Sequence, residues 1–303
     1  MIEKITGPVF EYLAEDERLI QVARKVGLPL GGTFFVGGQR TEETIDTVRT
    51  FNEDGRAVTV DCLGEFIESE RDAAAIADEC IKVIHRISEE GLNAQVSLKL
   101  TSVGLRLDPR IAVTQMTRIL ETAEQFGMRV TVNMEEEAVC ETIIQVFEQL
   151  RQRFANVGIA LQANLYRTRF DLERLQSTVR VVKGAYTGPE DIYIERKETV
   201  DATYLQLVKR NLLQGCYTQV ATHDEDMIQE IIRFVHQQGI GFDQFEFQML
   251  QGMRPNRQKE LVDEGYRVVI YVPHGVDWYT YLMKRLAERP ANIVFTAISM
   301  LRL

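Results

Sequence analysis

From residue 41 to residue 292 short apolar runs alternate with longer segments of helical periodicity. Eight runs have the length and branched apolar content of strands, and they begin at Ala57, Ala94, Met128, Val157, Thr178, Thr218, Phe245 and Tyr266. Around and between them, apolar residues at three- and four-residue spacing predict helices over 41–52, 69–90, 109–126, 137–154, 171–176, 201–214, 224–238 and 257–264. After the eighth strand a turn at Pro273 and Gly275 leads to a last helix running to Arg289, stopped by Pro290. Strands that are nearly continuous in Val, Ile and Leu suit burial on both faces, hence a parallel sheet covered by helices. An open doubly wound sheet fits the alternation too, but its dinucleotide form carries GxGxxG after the first strand, where this chain has DCLGE. The expected fold is therefore an α/β (βα)8 TIM-type barrel with its last helix over the mouth. It is read as one domain: an N-terminal helical and glycine-rich segment over 1–40, the barrel over 41–292 and an apolar tail over 293–303.

In such a barrel the chemistry sits where strands end and loops begin. Taken in order, those positions offer Asp61 and Glu65; Lys99 and Thr101; Asn133, Glu135 and Glu136; Gln162, Asn164 and Arg167; Arg180, Lys183 and Tyr186; Thr222, His223 and Asp224; Gln248 and Leu250; and Tyr271. On the last helix Tyr281, Lys284, Arg285 and Glu288 share one side, because offsets of three, four and seven bring side chains together. Cations at several strand ends, an amide and three tyrosines suit an anionic cofactor with a small carboxylate. Each signal has a plainer counterpart. Lys99, inside SLKLTS, also reads as half of a structural ion pair. KGAY at Lys183 is equally a strand end with a small-residue bend, and His223 equally a loop-orienting residue.

Composition narrows the classes. With 303 residues, 45% apolar and 26% charged, the chain can bury a large core. A net charge of -10 argues against a nucleic-acid surface, which needs a concentrated positive field. Four cysteines stand singly, with no CxxC and no histidine at ligand spacing, and read as reduced thiols of a cytosolic protein, with no metal site expected. No GxxxxGK[ST] and no nucleophile elbow occur, which weakens nucleotide hydrolysis and acyl transfer. A lyase or aldolase using Lys99 or Lys183 as a Schiff base stays open.

With those residues laid out, the chain resembles the proline dehydrogenase family, particularly its stand-alone bacterial members. The motifs are VDCLGE at Val60, SLKLTSVGL at Ser97, LQANLYRT at Leu161, RVVKGAY at Arg180, ATHDED at Ala221, FEFQML at Phe245, and YVPHG with YLMKRLAERP. The resemblance implies a flavin-bearing barrel that oxidises L-proline to 1-pyrroline-5-carboxylate, with noncovalent FAD passing electrons to a membrane quinone. It places Arg180 near flavin N5, Gln162 and Lys183 on the isoalloxazine with Ala185 beside it, Thr222 and His223 further out, and the loop of Arg196 and Lys197 by the pyrophosphate. It gives the substrate carboxylate to Lys99, Lys284 and Arg285, and encloses the ring with Tyr271, Tyr281, Tyr186, Ala185 and Leu250. It also implies a cytoplasmic protein that visits the inner membrane face, with the tail from Ile293 as the contact. A binding homologue that keeps the ligands and has lost efficient oxidation stays open.

Several positions depart from the family pattern. The paired arginines of the last helix are Lys284 and Arg285 here, and lysine lacks the planar fork for bidentate carboxylate binding. Asn133 stands where the third strand carries aspartate, and Asn164 where the fourth carries tyrosine. Gln251 and His274 also replace tyrosines. The expectation is a retained flavin site with an altered substrate pocket, giving weaker proline turnover or preference for another proline-like cyclic amino acid.

Overall fold

The computed structural model of the chain describes residues 10, 12–26 and 35–288, with side chains as far as Lys284. Eight strands, β1 (Ala57–Cys62), β2 (Ala94–Lys99), β3 (Val130–Asn133), β4 (Val157–Gln162), β5 (Val179–Val182), β6 (Thr218–Ala221), β7 (Phe245–Leu250) and β8 (Val268–His274), form a closed parallel barrel in sequence order, with β8 pairing to β1. The helices are α1 (Glu17–Val26), α2 (Thr41–Glu53), α3 (Glu70–Glu89), α4 (Pro109–Gln125), α5 (Glu137–Arg151), α6 (Thr168–Leu175), α7 (Lys197–Leu213), α8 (Glu225–Gln238), α9 (Pro255–Asp263) and α10 (Trp278–Glu288). The (βα)8 reading holds.

Local chemistry explains the boundaries. Ser69 caps α3 by accepting from Asp72 N, and the Asp72 carboxylate returns the bond, a capping box. Asp108 caps α4, with Pro109 in its first turn where a missing N–H costs nothing. Gly239 ends α8 at φ 63°, a backbone conformation glycine adopts without strain. Three helices, α6, α7 and α9, begin earlier than periodicity predicts. α7 opens at Lys197, which pairs with Asp201 one turn on, and α6 opens at Thr168, whose hydroxyl bonds the Gln162 carbonyl. The turn expected at Pro273 is also displaced. β8 continues through Pro273 to His274 in register with Asp61 and Cys62, and only Gly275 turns. Proline is tolerated there because its carbonyl still works, accepting from Gly37 N at 2.9 Å.

The barrel is packed differently inside and out. Val60, Val96, Leu98, Val132, Ile159, Val181, Val220, Phe247 and Ile270 are fully buried beneath the helix layer. The interior instead holds hydrogen bonds between strands that are not neighbours and so must cross it: Gln95 of β2 to Glu246 of β7 at 2.8 Å, and Thr131 of β3 to Gln219 of β6 at 3.3 Å. Glu246 is fully buried, where an uncompensated carboxylate costs several kcal/mol. Gln95, Gln248, Tyr217 and Arg267 all donate to it.

Candidate functional site

At the C-terminal ends of the strands a carboxylate is gripped by two lysines. Glu65, in the loop after β1, accepts from Lys99 Nζ at 3.2 Å and Lys284 Nζ at 2.8 Å. Its backbone N donates to Asp277 at 2.8 Å, and Asp277 also pairs with Arg24, so α1 and the start of α10 are tied to this loop. Burial opposes the charge on Glu65, but Lys99 and Lys284 outweigh it and hold the carboxyl below its ordinary range. Burial likewise opposes the Lys99 ammonium, and Glu65, with Tyr186 and Glu135 nearby, raises Lys99 above the usual lysine value. Lys99 is thus an ion-paired cation and a poor amine nucleophile, which counts against the Schiff-base alternative. Lys183, the other candidate, is held between Asp201 at 2.8 Å and Asp224 at 3.1 Å.

Deeper in the barrel lies a chain of side chains from β1 to β8. Asp61 Oδ1 accepts from Ser97 Oγ at 2.9 Å and from Asn133 Nδ2 at 2.7 Å. Asn133 Oδ1 accepts from Arg180 Nη1 at 2.8 Å, and its Nδ2 also reaches the Tyr271 hydroxyl at 3.3 Å. The Arg180 guanidinium stands 5.2 Å from the centroid of the Tyr271 ring. Arg180 is 2% exposed, and burial pulls its pKa below the usual arginine value although Tyr271, Asp61 and Glu246 support the charge. Its Nε and Nη2 are buried with no hydrogen-bond partner among the described residues, and so is Gln248 Oε1. Native interiors rarely leave such groups unmet, so the two guanidinium donors mark a place for a ligand that offers acceptors.

The other strand-end residues take local partners. Gln162 Nε2 donates to the Glu135 carbonyl at 2.8 Å, and burial raises the Glu135 carboxyl while two bonds from Thr101 work against that rise. His223 Nε2 accepts from Leu250 N at 2.9 Å, and Arg254 donates to the His223 carbonyl, so this histidine joins the loops after β6 and β7. Thr222 Oγ1 accepts from Asp224 N at 3.1 Å. Ala185 and Tyr186 lie half-buried after β5, and Leu250 sits beside Tyr271 in register. Arg196 and Lys197 are exposed at the start of α7, and Lys197 shares Asp201 with Lys183. Tyr281 is buried against Val36, Leu63 and Trp278. The side chain of Arg285 and the tail over 293–303 lie outside the described residues.

Lys99, Asn133, Arg180, Tyr271 and Lys284 therefore converge. Sequence reasoning placed Asp61 and Glu65 at a strand end but gave them no role. The available signal was a carboxylate on one strand end facing a lysine on the next.

Among the described residues no helix is long and apolar enough to cross a membrane, and no three His, Cys, Asp or Glu side chains form a group that could hold a metal ion.

Comparison with known proteins adds the family. The sequence model described as "Proline dehydrogenase" matches residues 44–297. Proline dehydrogenase 1 of Bacillus subtilis is 42% identical over 297 residues, covering 97% of this chain and 98% of its own length. Proline dehydrogenase of Deinococcus radiodurans is 39% identical, with all of both chains covered. Among solved structures, proline utilization A from Bdellovibrio bacteriovorus, inactivated by N-propargylglycine, superposes with a TM-score of 0.78 at 22% identity over 84% of this chain. This chain spans 32% of that protein's length, and the likeness is one of fold.

Proposed function

The chain belongs to the proline dehydrogenase family, and from that premise we propose that it oxidises L-proline to 1-pyrroline-5-carboxylate with noncovalent FAD and a membrane quinone as final acceptor. The observation that carries the reading is the pairing of two features in one barrel mouth: lysines that already hold a carboxylate, and beneath them a buried arginine with two donors that lack an acceptor. The isoalloxazine, with ring nitrogens and carbonyl oxygens along one edge, suits those donors, and Gln162 and Lys183 belong to the same face of the barrel. When bound, FAD supplies the two-electron acceptor for the C5 hydrogen of proline.

Everything else is done by the chain's own side chains. Lys99 and Lys284, joined by Arg285, bind the proline carboxylate by taking it in exchange for Glu65. Tyr271, Tyr186, Ala185, Leu250 and Tyr281 enclose the ring and exclude water, which strengthens the charge contacts behind it. Anchoring the carboxylate at the α10 side orients C5 toward the barrel axis, the positioning such a reaction requires. Arg180 would supply the positive charge that favours a reduced flavin. Thr222, His223, Arg196 and Lys197 would hold the rest of the cofactor. The barrel over 41–292 acts as one domain, and the tail from Ile293 is the segment proposed to meet the inner membrane face while the protein is otherwise cytoplasmic.

The test is the visible spectrum of the purified protein before and after anaerobic L-proline. A flavin spectrum that bleaches supports cofactor and substrate together. A flavin that stays oxidised directs attention to other cyclic amino acids and to Asn133, Asn164 and Lys284. A colourless protein that fails to take up FAD overturns the proposal.

A further inference from the structure

Asn133 sits between an acceptor and a donor that leave it one orientation. A carboxylate can only accept and a guanidinium only donate, so the amide must turn Nδ2 to Asp61 and Oδ1 to Arg180. A flipped amide would oppose both partners at once. Asp61 is itself fixed by Ser97 and is 3% exposed. We propose that Asp61 is a positioning residue for the reaction: acting through Asn133, it holds Arg180 by Nη1 and so leaves Nε and Nη2 as the donors for the bound cofactor. The inference rests on the function proposed above.

The identity of residue 133 matters for a second reason. A carboxylate in its place would lie against Asp61 at hydrogen-bonding distance, and two carboxylates that close share a proton, one of them titrating well above the ordinary range. The neutral amide keeps that shared proton out of the pocket. The charged and titratable groups facing this amide are Asp61 from β1, Arg180 from β5 and Tyr271 from β8; Lys99 is its register partner on β2, engaged by Glu65, and Glu246 of β7 supports the charge on Arg180. Cys62 adjoins Asp61 in the chain.

The experiment uses the full chain loaded with FAD and measures the midpoint potential of the flavin and its pH profile, with kcat and KM for L-proline alongside. Asp61→Asn keeps an acceptor for the Asn133 amide and removes a negative charge beside Arg180. The potential is expected to become more positive and kcat to fall about tenfold, with KM within about threefold of the parent. Asn133→Asp is expected to add an ionisation that the parent profile lacks, and the double variant Asp61→Asn, Asn133→Asp to lose it again, because a single carboxylate has nothing to share a proton with. An unshifted potential in Asp61→Asn overturns the positioning role. An added ionisation that is missing from Asn133→Asp, or that persists in the double variant, overturns the coupling. Should Asp61→Asn fail to fold, the Asn133→Asp comparison with the double variant still decides. A parent protein that binds no FAD contradicts the proposed function, and the variants are then compared by proline binding alone, where an unchanged pH profile in Asn133→Asp again overturns the inference.

Discussion

Replacing Gly184 with alanine should be costly, and its cost can be divided. Gly184 follows Lys183 at the end of β5 with φ 102°, where a side chain is strained by about 1–2 kcal/mol. A Cβ built there falls 1.9 Å from Asn164 Oδ1, far inside contact distance. The Asn164 amide cannot step aside cheaply, because its Nδ2 donates to the Tyr186 carbonyl at 2.8 Å and so holds the turn that presents Ala185 and Tyr186. Displacing it gives up a bond contributing about 1 kcal/mol. Gly184→Ala should therefore destabilise by about 2–3 kcal/mol, read as a lower urea midpoint by circular dichroism, and should raise the apparent KM for proline by disturbing Tyr186. In an Asn164→Ala background the clash disappears and only backbone strain remains, so the same substitution should cost about 1–2 kcal/mol. Equal costs in the two backgrounds would refute the contact argument, and a cost near zero in both would refute the strain argument as well.

Lys284→Arg should tighten proline binding roughly three- to tenfold, since a planar fork can hold a carboxylate by two bonds where an ammonium offers a point charge; unchanged affinity in a titration of the oxidised protein with a nonreacting proline analogue would remove Lys284 from the carboxylate site. Glu79, bonded by His274 and by Thr41 and lowered from 4.5 to about 2, stabilises the fold fully above pH 4.5 and loses that contribution as pH falls toward 2. Glu79→Gln should therefore lower the melting temperature modestly at neutral pH, the group being partly exposed, and leave parent and variant alike near pH 2.

Much of the architecture was legible because its signal is local. Strand length, helical spacing and the DCLGE strand end select a barrel over a doubly wound sheet, and reading strand ends in order puts Lys99, Asn133, Arg180 and Tyr271 at one end of it. The polar interior was harder. Thr218, Gln219, Val220 and Phe245, Glu246, Phe247, Gln248 do alternate, but the neighbouring valines and leucines make the runs look uniformly apolar, and nothing in a strand says that Gln95 will meet Glu246 across the barrel. Pairings such as Glu65 with Lys284, separated by 219 residues, belong to closure of the barrel and are invisible to any window. Pro273 misled for the opposite reason: a strong local turn signal was overruled by pairing with β1 and by the Gly37 bond to its carbonyl.

Glu65 is what allows such a cationic mouth to exist before substrate arrives. Lys99 is three-quarters buried, and a charged amine so placed without a counterion would shed its proton or destabilise the fold by several kcal/mol. An internal carboxylate meets that need with the same chemical group the proposed substrate brings. Exchange of one carboxylate for another leaves the charge around the lysines almost unchanged, so the cost of entry falls on moving Glu65 rather than on desolvating Lys99 anew. Lys284 is the more exposed of the two lysines and lies on α10, whereas Lys99 belongs to the barrel itself. On the proposed function the exchange would begin at the α10 side, and Asp277, which binds both the Glu65 backbone and Arg24 of α1, is the point through which the N-terminal helix steadies the Glu65 loop.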